Sequence, residues 1–133
     1  AVLRIRLPGL DAANARRRQI AARYDARLAD LPLRTPRTRF GCEPVHNVYP
    51  IRLAARDELR AHLQREGVGT GVHYAVPAHH QPALRGRSHR LGPLPVTERA
   101  CRELLSLPIY PELRDEQVEW VAERVRAFFG EPA

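Results

Sequence analysis

Three glycines spaced two apart, at positions 67, 69 and 71, constrain this chain more tightly than any other feature. They open the stretch GVGTGVHYAVPAHHQ, residues 67–81. Gly67 follows a helical pattern and supplies the left-handed residue that ends it. Val68, Thr70, Val72 and Tyr74 then alternate as a strand with one buried face does. Proline turns the run into a loop carrying His79, His80 and Gln81. A helix end, a strand and a loop of hydrogen-bonding side chains thus follow one another within a few turns of chain.

Upstream, Val2, Leu3, Ile5 and Leu7 form a short apolar start that Pro8-Gly9 stops. A helix begins at Asp11, a capping residue. Ala13, Arg17, Ile20, Tyr24, Leu28 and Leu31 share one face of it until Pro32 ends it. A connector rich in Pro, Thr and Arg over 32–44 leads to a strand over 46–53 with Tyr49, Ile51 and Leu53 on one side. Pro50 has no N–H to donate to a ladder, which keeps this strand from a fully paired position. A helix over 57–66 sets Leu59 and Leu63 one turn apart. Residues 77–95 hold four prolines and form a loop. A helix starting at Pro95 or Thr97 turns Val96, Ala100, Leu104 and Leu105 inward, and 107–111 is extended. The last helix starts near Asp115 and buries Val118, Val121, Ala122, Val125 and Phe128 or Phe129. Tyr24 and Trp120 read as core residues. This order predicts an α/β fold, a small antiparallel or mixed sheet covered by helices, in one domain over 1–133.

Composition narrows the function. The formal charge is +7, yet every one of the 22 basic Lys or Arg residues is Arg. Arg without Lys, beside abundant Ala, Leu and Pro, reads as the coding bias of a GC-rich genome, and the charges are dispersed; no nucleic-acid partner is expected. In the cluster Arg16-Arg17-Arg18 at least one side chain faces the core side of its helix. No run reaches the roughly 20 apolar residues of a membrane span, and the N-terminus is too broken by Arg and Pro for a signal peptide, so the cytoplasm is the expected compartment. The absence of Met at position 1 fits either a trimmed start or the tail of a longer protein. Cys42 and Cys101 lie in unrelated contexts and read as free thiols.

Among candidate chemistry, His73, His79 and His80 are close enough in sequence to converge on a metal, but no Cys or paired carboxylate accompanies them and no metal site is assigned. Donors of several shapes in this loop suit a ligand's phosphate or sugar. Cys42 with His46 lacks an orienting third group. Ser106, in LLSLP, lacks the small-residue elbow of a hydrolase. The glycines follow a helix and open a strand, the reverse of a dinucleotide fingerprint. No residue is assigned a catalytic role.

GVGTGVHYAVPAHHQPAL resembles the segment G-I-x-T-G-I-H-Y-P-x-P-x-H-x-Q-P of the DegT/DnrJ/EryC1/StrS family of sugar aminotransferases, and LPVTERACRELLSLPIYPEL resembles that family's F-P-x-A-E-x-x-x-x-x-x-L-S-L-P-x-x-P-x-L. LPGLDAANARRRQIAARYDARL and RDELRAHLQREG are similar to two of its helices. The resemblance implies the C-terminal small domain of a fold-type-I enzyme dependent on pyridoxal phosphate (PLP), usually dimeric. Such enzymes move an amino group from glutamate or glutamine to a keto-sugar, commonly nucleotide-linked, or to a keto-cyclitol. It implies that the large cofactor-binding domain with its Schiff-base lysine lies before Ala1. By the same resemblance His73 and Tyr74, then His79 and Gln81, are the substrate-binding candidates. Ala75 replaces a proline, Ala78 and His80 replace leucines, and Arg114 replaces a capping Thr or Ser. Because the chain has no lysine, it is expected to bind no PLP and to be inactive alone. The alternative is a stand-alone, non-catalytic interaction module of the same fold. In either case an exposed N-terminal face is expected to drive self-association, making the chain a homo-oligomer.

Overall fold

Ile20, Tyr24, Leu28 and Leu31 recur along one helical stripe, and all four are buried. The computed structural model describes residues 2–84 and 92–130. It opens with α1 (Val2–Arg6), a 3-10 turn (Leu7–Gly9) and α2 (Leu10–Leu28). Pro8-Gly9 does not stop the chain as expected: proline occupies the first turn of the 3-10 segment, where its missing N–H costs nothing. Gly9, not Asp11, is the N-cap of α2, and no side chain caps it. Val2, Leu3 and Ile5 are each at least 66% exposed, so α1 projects an uncovered apolar surface.

After the connector come β1 (Tyr49–Arg52), α3 (Arg56–Arg65), 3-10 turns at Ala78–His80 and Pro82–Leu84, α4 (Pro95–Glu103), β2 (Leu104–Leu107) and α5 (Asp115–Phe128). Of the expected loop over 77–95, residues 85–91 lie outside the described residues. The sheet is antiparallel, with Tyr49 opposite Leu107 and Ile51 opposite Leu105. These four side chains line its core face. Isolated bridges extend it on both sides, Arg34 to Arg52 and Gly71 to Ser106. The spatial order is therefore the Arg34 segment, β1, β2, the Gly71 segment. Alternation explains how Pro50 fits. Arg52 exchanges both backbone bonds with Arg34 at 2.9 Å, so even-numbered residues of β1 turn their N–H away from β2. Pro50 lies on that outer side and removes no bond to β2.

Four further expectations are corrected. The strand over Val68, Thr70, Val72 and Tyr74 is reduced to the single Gly71 bridge, because the chain turns at His73 and Tyr74 before pairing can propagate. Leu104 and Leu105 belong to β2 and not to a helix; they open an apolar run whose strand pairing ends at Leu107, before Pro108. On α4 the buried residue is Cys101 and Val96 is exposed. Trp120 is 46% exposed, with the Arg124 guanidinium 4.2 Å from its ring centre, and is no core residue.

The end of α3 follows expectation in detail. Val68 donates to Leu63 at 2.8 Å and Gly67 to Gln64 at 3.2 Å, while Val68 and Leu63 bury their side chains together. This is the Schellman arrangement, and Gly67 adopts φ 75°. Helices α2 and α5 are joined at both ends by guanidinium–carboxylate pairs. Asp115, in the first turn of α5, accepts from Arg16 at 2.7 Å and Arg23 at 2.6 Å. Arg16 also donates to the Leu113 carbonyl, so it is the member of the arginine cluster that reaches inward. At the other end Arg126 holds Asp30 through both guanidinium nitrogens at 2.7 and 2.9 Å. Gln117 accepts from the Arg114 N–H at 3.0 Å, so the start of α5 is satisfied without a Ser or Thr.

Nothing lies within 4 Å of a Cβ built on Gly67. Gly67→Ala therefore meets only the left-handed backbone penalty, and urea denaturation is expected to show a loss of about 1–2 kcal/mol. The Arg16 hydrogen bond, then the Arg23 and Arg16 charges, hold the Asp115 carboxyl below its usual range. A lowered folded pKa gives stability that is complete above the unfolded value of about 4 and is lost as pH falls through the folded value. Melting temperature should drop below about pH 4, and the drop should be smaller in Asp115→Asn.

Candidate functional site

Ser106 is the buried polar residue among the described residues, 5% exposed within β2. Its neighbours Leu105 and Leu107 face the helices, so strand alternation turns Ser106 to the opposite face. Its backbone exchanges bonds with Gly71 at 2.7 and 3.1 Å. Two residues beyond Gly71 the chain turns back, and His73 Nδ1 lies 3.0 Å from Ser106 Oγ. The imidazole crosses directly over Gly71: a Cβ there would overlap the ring. Tyr74 is 74% exposed, its ring edge-on to His73 with centroids 5.7 Å apart. A polar strand residue thus orients an imidazole beside an open phenol, both exposed to solvent and able to meet a polar ligand.

His79 and Gln81 are held differently. The 3-10 turn Ala78–His80 places the His79 side chain, 8% exposed, with Nε2 3.2 Å from Glu98 Oε1 at the start of α4. The rings of His79 and His80 are 4.1 Å apart. The Leu94 N–H and the His79 side chain, in that order, hold the Glu98 carboxyl below its usual range. Gln81 donates to the Val76 carbonyl at 3.1 Å and so closes its own turn. The structure therefore pairs His73 with Tyr74, and His79 with Glu98, and commits the Gln81 amide nitrogen to backbone. Sequence reasoning weighed Ser106 only as a hydrolase nucleophile and passed over Glu98. A lone hydroxyl inside the apolar run LLSLP was a usable signal for Ser106. Nothing in the sequence tied Glu98 to histidines nineteen residues away. Of the two cysteines, Cys42 is exposed and Cys101 buried, and both are free.

A sequence profile of the DegT/DnrJ/EryC1/StrS aminotransferase family matches residues 1–126. The chain belongs to this family. It is 45% identical over 127 residues to dTDP-3-amino-3,4,6-trideoxy-alpha-D-glucose transaminase of Streptomyces venezuelae, covering 95% of this chain and 34% of that protein. It is 38% identical over 133 residues to the pleiotropic regulatory protein of Geobacillus stearothermophilus, covering 97% of this chain and 36% of that one. The crystal structure of S. venezuelae DesV in complex with a ketimine intermediate superposes with a TM-score of 0.91 at 44% identity, over 96% of this chain and 34% of DesV. The chain thus spans about a third of the length of these family members. The fold is that of part of a sugar aminotransferase, as the motifs imply. No helix among the described residues is long and apolar enough to cross a membrane.

The family works with PLP, but the residues of this chain do not fit its covalent attachment: the 133 residues include no lysine and so no side-chain amine to bond to its aldehyde. Ser106→Ala should keep the fold, lower stability by about 1 kcal/mol and shift the His73 imidazole signals in NMR. Unchanged His73 signals would show that the hydroxyl does not hold the ring.

Proposed function

We propose that this chain is the substrate-facing C-terminal domain of a PLP-dependent aminotransferase acting on a nucleotide-linked keto-sugar, with glutamate or glutamine as amino donor. The observation that carries the reading is the His73–Tyr74 pair, held over Gly71 by buried Ser106 at 3.0 Å, in a chain 45% identical to a dTDP-sugar transaminase. An imidazole whose Nδ1 is anchored to a hydroxyl leaves Nε2 for a phosphate or sugar oxygen, and the exposed Tyr74 hydroxyl adds a second donor. His79 and Gln81 then shape the loop beyond, Gln81 through its bond to Val76.

Amino-group transfer itself requires a lysine-bearing domain. The role of this chain is to bind and orient the sugar nucleotide and to exclude water from it. The exposed apolar residues of α1, Val2, Leu3 and Ile5, suit burial against such a domain or a second subunit in the cytoplasmic enzyme. A second reading, an interaction module without catalysis, is favoured by one relative whose name describes regulation.

Intact-mass measurement of the native gene product separates the two. A product much heavier than 15.1 kDa with an upstream lysine-bearing domain supports the enzyme; a product of this size supports the module. In the full-length enzyme His73→Ala should raise KM for the sugar nucleotide about tenfold, the loss of one hydrogen bond to a charged group, with kcat changed less. An unaltered KM would rule out His73 as a substrate contact.

A further inference from the structure

The His79–Glu98 contact has a third member. One donor atom each from His79, His80 and Glu98 lies within 4.8 Å of the others. We propose that these three residues bind a divalent transition-metal ion of the zinc class.

Four observations carry this. The donors come from two separate elements, the Ala78–His80 turn and the first turn of α4. His79 Nε2 and Glu98 Oε1, 3.2 Å apart, already have about the spacing of two ligands on a tetrahedral zinc with bonds of about 2.0–2.1 Å. The His79 side chain is only 8% exposed, so an ion held by it is shielded from bulk water. The ring of adjacent His80 lies tilted by 55° against that of His79, centroids 4.1 Å apart, which brings a third nitrogen within 4.8 Å of the other two donors.

Two imidazoles and one carboxylate select zinc, cobalt or nickel over magnesium and calcium, which need more oxygen ligands. A hollow of about 240 Å³ lined by His80, Glu98, Cys101 and Arg102 adjoins the cluster and leaves room for a water as fourth ligand. His80 is exposed, which leaves its side chain room to move toward the other two donors. A bound ion would clamp the 78–80 turn to α4 and so order the segment that continues from His73 and Tyr74.

The test is calorimetric titration of the tag-free chain with zinc chloride, with cobalt chloride giving a visible spectrum that reports ligand geometry. Saturable binding of one ion per chain is expected, weakened at least tenfold in His80→Leu and in Glu98→Gln and unchanged in His46→Asn. Zinc should also raise the melting temperature, and magnesium at the same concentration should not. His80 is exposed, so His80→Leu should retain the native circular dichroism spectrum and keep the test valid. Absence of saturable zinc binding, or binding that both variants leave intact, would overturn the proposal.

Discussion

Alternation along β2 is the constraint on which the rest of the structure depends. Leu105 and Leu107 pair with Ile51 and Tyr49 and face the helices, which leaves Ser106 no direction but the opposite side. One face of four residues thereby closes the core, and the other supplies the hydroxyl that orients His73. A one-residue slip would exchange the faces, burying a hydroxyl among Tyr24, Val118 and Val125 and turning two leucines to the site. Fold and site cannot be adjusted separately here, because the same ladder sets both.

Much of the fold was legible because it rests on local rules. The stripes of α2 and α5 follow helical periodicity, and the end of α3 follows from a glycine that alone tolerates φ 75° beside a valine that buries itself on Leu63. The errors arose where a long-range partner decided the outcome. Residues 68–74 have the pattern of a strand, but only Gly71 has a neighbour to pair with. Leu104 and Leu105 suit a helix or a strand equally, and β1 claims them. On α4 Cys101 and not Val96 packs inward, and a nine-residue helix with one buried residue offers no periodic pattern from which to foresee it.

The candidate site divides in the same way. The family motifs single out His73 and Tyr74, and the structure sets their rings edge-on with centroids 5.7 Å apart. What sequence did not disclose is the support behind them: a serine thirty-three positions away beneath His73, and a glutamate nineteen away against His79. Second partners of this kind are set by how elements dock, and no local pattern encodes docking.

The seam between α2 and α5 has one more consequence. Its cations are all guanidinium groups, Arg16, Arg23, Arg27 and Arg126, facing Asp115, Glu119 and Asp30. A guanidinium keeps its proton at any pH a protein survives, and the chain has no ammonium side chain to lose one. The groups that end alkaline tolerance are then the phenols of Tyr24 and Tyr49, both pushed upward, mainly by burial. Below the unfolded tyrosine value of about 10 both states keep these protons; above it the unfolded chain ionises first, so stability falls as pH climbs toward the folded value. An arginine-only composition, whatever its origin in coding bias, leaves this domain built for base more than for acid.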